Sequence, residues 1–160
     1  MADAGPLIAL GQVDALEALA RLYRPVIVPD LVRTECTARP DKPAAVAIEQ
    51  AFALGHLAAQ PAYPALSGAR VSGLDAGEAA AIELAEALQG RLLIDERRGR
   101  AVASARGLPI VGTVAVLVAA RRRGLVPPLA ALFERLAAAG YHLAPALVDT
   151  ALAQVGERGS

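Results

Sequence analysis

The sequence predicts an α/β fold, a parallel sheet with helices on both faces. Three observations carry this. Short apolar runs, Val26-Ile27-Val28, Leu92-Leu93-Ile94 and Leu108-Pro109-Ile110-Val111, alternate with longer segments of helical period. Such alternation of strand and helix signals implies parallel pairing with crossover helices. The run Leu92-Leu93-Ile94 is continuously aliphatic, as suits a strand covered on both sides. Alanine dominates a hydrophobic fraction of 55% while aromatics supply only 3%, which calls for closely packed helices.

The chain starts on Met1-Ala2-Asp3-Ala4-Gly5-Pro6, leaving two residues before Asp3 for any first strand. Pro6 suits a helix start, and Leu7, Ile8 and Leu10 are its expected inner side. Asp14 to Leu22 has apolar positions three apart and reads as a helix with an Asp start. After the strand Val26–Val28, Pro29-Asp30 opens a helix expected to bury Leu31, Val32 and Cys36, with Glu35 about a turn in. Ala44 to Leu54 forms a helix ending at Gly55. Leu57-Ala58-Ala59 is a weak strand signal, and Pro61 to Gly73, rich in Pro and Gly, is an irregular connection.

Glu78 sits in the first turn of a helix running to Leu88, where the helix dipole favours carboxylates. Leu92-Leu93-Ile94 then leads straight into Asp95-Glu96-Arg97-Arg98-Gly99-Arg100 and a helix ended by Gly107. This places Asp95 at the carboxyl end of a strand, the edge where open α/β sheets put ligands. The plainer alternative is that Asp95 caps the helix. Gly112-Thr113 follows the last strand, then a helix from Val114 to Arg123. Two further helices, Leu129 to Ala139 and Pro145 to Val155, have no strand between them and form a C-terminal hairpin. The expected division is residues 1–124 for the strand-bearing domain and 125–160 for a helical extension packed on it.

Composition excludes several classes. One cysteine, Cys36, leaves no internal disulfide framework and fits a reducing compartment. No apolar run spans a bilayer and no signal peptide is evident, so a cytoplasmic protein away from membranes is expected. Net charge is zero, which argues against a general nucleic-acid coat. The charge is uneven, however, with eight arginines against two acids between Arg91 and Arg123.

Asp3, Glu35, Glu78 and Asp95 all fall at strand ends or in early helical turns, positions that converge on one edge of a parallel sheet. Gathered carboxylates raise one another's pKa unless neutralised, and a divalent cation is the usual remedy. Mg²⁺ favours a few carboxylates plus waters. The two histidines, His56 and His142, and Cys36 show no metal-ligand spacing.

The succession Asp3-Ala-Gly-Pro-Leu-Ile, Val28-Pro29 with Glu35 beyond, Gly77-Glu78-Ala-Ala-Ala-Ile, Leu-Leu-Ile-Asp95-Glu-Arg-Arg-Gly-Arg and Ile110-Val-Gly-Thr113 resembles the PIN-domain ribonucleases. It is most similar to the VapC-like toxins of prokaryotic toxin–antitoxin operons, over roughly Asp3 to Gly124. The resemblance implies a sheet of about five short parallel strands, three or four acids binding Mg²⁺ or Mn²⁺, endonucleolytic cleavage of RNA, a homodimer and a cognate antitoxin. It aligns Asp3, Glu35, Glu78 and Asp95 with the family's four acids, Glu78 standing where Asp is commoner. Glu96, one residue from Asp95, is an additional candidate. Arg97 and Arg100, about 300° apart around a helix and so on one face, are candidates for holding RNA phosphates. Thr113 either touches a phosphate or starts a helix. Two rival classes remain, a PIN-like module that binds RNA or protein without cutting, and a receiver-type phosphoacceptor. The second wants a late lysine, and the only lysine is Lys42, in a loop.

Overall fold

The computed structural model describes residues 1–61 and 73–157. In chain order the elements are α1 (Ala4–Gln12), α2 (Leu16–Leu22), β1 (Ile27–Pro29), α3 (Asp30–Cys36), α4 (Pro43–Ala53), β2 (Ala58–Gln60), α5 (Ala76–Leu88), β3 (Leu92–Leu93), α6 (Arg97–Ala105), β4 (Ile110–Val111), α7 (Thr113–Arg122), α8 (Leu129–Ala138) and α9 (Pro145–Gln154). The expected irregular connection lies, over residues 62–72, outside the described residues. No described helix is long and apolar enough to cross a membrane.

The fold is α/β with parallel pairing, as expected, and among the described residues the strands form two parallel pairs. β1 pairs with β2, Ile27 opposite Ala58, and β3 pairs with β4, Leu92 opposite Ile110. These are two sheets of two strands each. Residues 1–3 lie between them. The Ala2 amide donates to the Ile27 carbonyl at 3.2 Å, the Leu93 amide to the Met1 carbonyl at 2.8 Å, and the Asp3 amide to the Leu93 carbonyl at 3.0 Å. Their ladder is a single bridge, Ala2 to Leu93. Helix α1 begins at Ala4, which ends this extended segment at Asp3.

Small residues let the helices approach, as the composition implied. A Cβ on Gly11 of α1 would stand 3.3 Å from the Ala44 carbonyl oxygen of α4, and Ala44 Cα and Cβ lie just beyond. Backbone-to-backbone contact of this kind is open only to Gly and Ala. The core runs through Leu7, Leu10, Ile48, Ile82, Ile94 and Leu117, each at most 1% exposed. Helices α8 and α9 pack on α7, and α8 also meets α1.

Two local expectations are corrected. Leu31 is 51% exposed, so α3 buries Val32 and Cys36 alone. Asp14 does not start α2. It adopts φ 56°, a left-handed conformation that Asp tolerates, and its carboxylate pairs with Arg135 at 2.8 Å.

Candidate active site

Asp3 follows the bridge at Ala2 and occupies the N-cap position of α1, yet its side chain makes no capping hydrogen bond. It is 5% exposed. Burial pushes its carboxyl up to about 7. Glu78, Asp75 and Glu35 push in the same direction, against the lowering effect of the Ala4 amide.

Glu78 is held at the start of α5 by a reciprocal cap. The Glu78 amide donates to Asp75 Oδ1 at 2.8 Å, and the Asp75 amide donates to Glu78 Oε2 at 3.0 Å. This is the capping box spelled by Asp75-Ala-Gly-Glu78. The dipole reading of Glu78 therefore holds, and the same side chain also takes part in the acidic cluster. Its carboxyl is raised by burial, opposed by the Asp75 backbone hydrogen bond and reinforced by Asp75, Glu96 and Glu35. Glu35 reaches the cluster from the last turn of α3. A Cβ on Gly77 would stand 2.6 Å from Glu35 Oε2, so glycine there makes the room this carboxylate occupies. Burial and then Asp75 raise the Glu35 carboxyl as well.

Asp95 is not the helix cap. Glu96 caps α6, its Oε2 accepting from the Arg98 amide at 2.7 Å and the Gly99 amide at 3.0 Å. Asp95 instead turns to α7 and the C-terminal hairpin. Its Oδ1 accepts from the Thr113 amide at 2.8 Å, and its Oδ2 from the Thr113 and Tyr141 hydroxyls, each at 2.5 Å. Burial, then Asp95, raise the Tyr141 phenol above its ordinary range, so it keeps its proton and donates.

A cleft of about 670 Å³ opens beside these groups, lined by Asp3, Asp95, Glu96, Arg100, Tyr141 and His142 together with apolar residues such as Pro6, Val114 and Leu147. Arg100 donates to the Ile94 carbonyl at 2.9 Å from the cleft wall. Arg97 is exposed. The Arg98 guanidinium lies over Gly73. Thr113, 1% exposed, directs its hydroxyl to Asp95.

Among the sequence-derived residues, Asp3, Glu35 and Glu78 are thus electrostatically coupled. Asp95, Glu96 and Arg100 share the cleft with Asp3. Asp75 and Tyr141 join the site without having been singled out. The Asp-x-x-Glu spelling of a capping box was the available signal for Asp75. Tyr141 lies 46 residues from Asp95 and carried no local signal.

The donor chemistry fits a hard divalent ion. It is all carboxylate oxygen, and a buried acid stands among three others, with no arginine among the described groups that act on it. As they stand, no three acidic, imidazole or thiol groups among the described residues are close enough to hold one ion.

The fold and this acidic edge define a class, an α/β protein that gathers carboxylates from strand ends and adjoining helical turns beside an open cleft. A family model for the PIN domain matches residues 1–157, and the chain belongs to the PIN-domain family, a nuclease-type fold. The match takes in α8 and α9 as well as the segment bearing the acids. No curated protein and no solved structure matches the chain.

Proposed function

We propose that this protein is a divalent-metal-dependent endoribonuclease, the VapC-like toxin of a toxin–antitoxin pair, acting in the cytoplasm. The observation that carries the reading is Asp3, a nearly buried carboxyl flanked by Glu78, Asp75 and Glu35. Such a cluster is unfavourable by itself and favourable around a cation. Asp3, Glu35, Glu78 and Asp95 would hold Mg²⁺ or Mn²⁺, with Glu96 as an additional acid at the cleft. A bound ion of this kind supplies a Lewis acid and an activated water for phosphodiester hydrolysis. The chain's own part is to place the RNA. Arg100 on the cleft wall and Arg97 outside it hold backbone phosphates, for which the planar guanidinium fork is suited. Thr113 supports this by orienting Asp95. A homodimer and an antitoxin that covers the acidic cleft complete the proposal.

A second reading, an inert PIN-like module that binds RNA or protein, is favoured by one observation: no three described acids stand within one coordination shell. Purified protein is given labelled RNA with Mn²⁺ or with EDTA, beside Asp3→Asn and Asp95→Asn. Metal-dependent cleavage lost in both variants is expected. Wild-type cleavage by both variants would refute the site, and no cleavage by the parent in Mn²⁺ would favour the inert module. Expression of the native operon should yield a stable antitoxin complex with reduced cleavage.

A further inference from the structure

Asp95 is held from two distant parts of the chain. Thr113, the first residue of α7, supplies its amide to Oδ1 and its hydroxyl to Oδ2. Tyr141, in the connection between α8 and α9, supplies a second hydroxyl to the same Oδ2. Each carboxylate oxygen has about two acceptor sites. Oδ2 is therefore filled, and one site on Oδ1 remains.

We propose that Tyr141 is a positioning residue: with Thr113 it locks the Asp95 carboxylate so that a single Oδ1 lone pair is left for a divalent cation. The C-terminal hairpin thereby completes the site. This rests on the metal-dependent ribonuclease reading above.

The hairpin has its own anchors, so the Tyr141 hydroxyl is not what docks it. Leu132 and Leu136 of α8 are fully buried and Ala151 of α9 is 2% exposed. Arg121 of α7 pairs with Glu157 at 2.5 Å, and Glu157 also accepts from the Ala130 amide at 3.2 Å. The Tyr141 backbone is fixed by its amide donating to the Leu136 carbonyl at 2.9 Å. Removing one hydroxyl therefore leaves fold and ring in place and frees one of the two acceptor sites of Oδ2, the Thr113 hydroxyl keeping the other. A carboxylate that has lost such an outer partner samples other rotamers, and loss of partners of this kind costs about 10–100-fold in metal affinity.

The test is calorimetric titration of Mn²⁺ into the parent, Tyr141→Phe, Asp95→Asn and the double variant, with melting temperatures measured in parallel. Tyr141→Phe should bind Mn²⁺ about 10–100-fold more weakly at an unchanged melting temperature. In the Asp95→Asn background the same substitution should change the affinity no further, because Tyr141 acts through Asp95. Tyr23→Phe, just past α2 with its ring beneath the Arg91 guanidinium and outside the cleft, should match the parent. Equal affinity of the parent and Tyr141→Phe overturns the proposal and leaves the ribonuclease reading standing. So does an equal, independent loss in the Asp95→Asn background. A parent that binds no Mn²⁺ refutes the ribonuclease reading and this proposal with it.

Discussion

Substituting Asp3 by Asn should stabilise the metal-free protein at neutral and alkaline pH. Burial and the neighbouring carboxylates raise the Asp3 carboxyl from an ordinary 3.8 to about 7. A folded value above the unfolded one means that the folded state binds the proton more tightly. The stability this group contributes is thus fully present below pH 3.8 and has been lost once pH passes about 7. At 1.36 kcal/mol per pH unit, the stability lost relative to low pH is roughly 1–2 kcal/mol at pH 5, where only the unfolded chain has ionised, and roughly 4 kcal/mol by pH 8, where the folded Asp3 has ionised too. Asn keeps the shape and never ionises. Its advantage over the parent should therefore grow by roughly 2–3 kcal/mol from pH 5 to pH 8. The Met1 amine, pushed down to about 6 by burial, titrates in an overlapping window with the opposite sign. Both proteins carry it, so the difference between the two is the quantity to measure. Urea unfolding in EDTA across this range supplies it. A difference that stays flat with pH would refute the account of Asp3 as a buried acid repelled by its neighbours. The same variant should lose metal-dependent cleavage, separating stability from activity.

Gly99→Ala would place a Cβ 2.4 Å from Ile94 Cδ1. Ile94 is fully buried, so this overpacking should lower stability by roughly 1–3 kcal/mol in chemical denaturation. Gly77→Ala meets the tip of Glu35, an exposed side chain, at 2.6 Å, with Asp75 Oδ1 and Val32 Cγ2 at ordinary contact distances of 3.4 and 3.6 Å. Its stability should hold or rise by up to about 1 kcal/mol from helix propensity, while Mn²⁺ affinity falls because Glu35 is displaced. Arg100→Ala in an uncleaving background should flatten the log K against log salt slope for single-stranded RNA by roughly 0.7 if it contacts one phosphate; an unchanged slope would reduce Arg100 to a structural donor to Ile94.

What the sequence by itself determined is the order of helices and strands and the family resemblance. Those signals are local: apolar period, Pro at starts, Gly107 and Gly124 in left-handed conformations just past α6 and α7. The position of Asp3 directly after Ala2 and of Asp95 directly after Leu92-Leu93-Ile94 is equally local, so the candidate acids were legible too. Tertiary structure alone decided what each acid does. Asp95 and Glu96 are adjacent and both able to cap a helix. The choice falls to Glu96 because Asp95 is drawn off by Thr113 and by Tyr141, 46 residues away. Leu31 and Val32 are both apolar neighbours in α3, and the packing of α5, α1 and β1 against that helix settles which is covered. The placing of the Ala2 segment is likewise a matter of partners, its amide on the Ile27 carbonyl and its bridge to Leu93. Helical period and turn chemistry act over a few residues and can be read along the chain. Carboxylate partners and burial depend on contacts far apart in sequence, which no local spacing encodes.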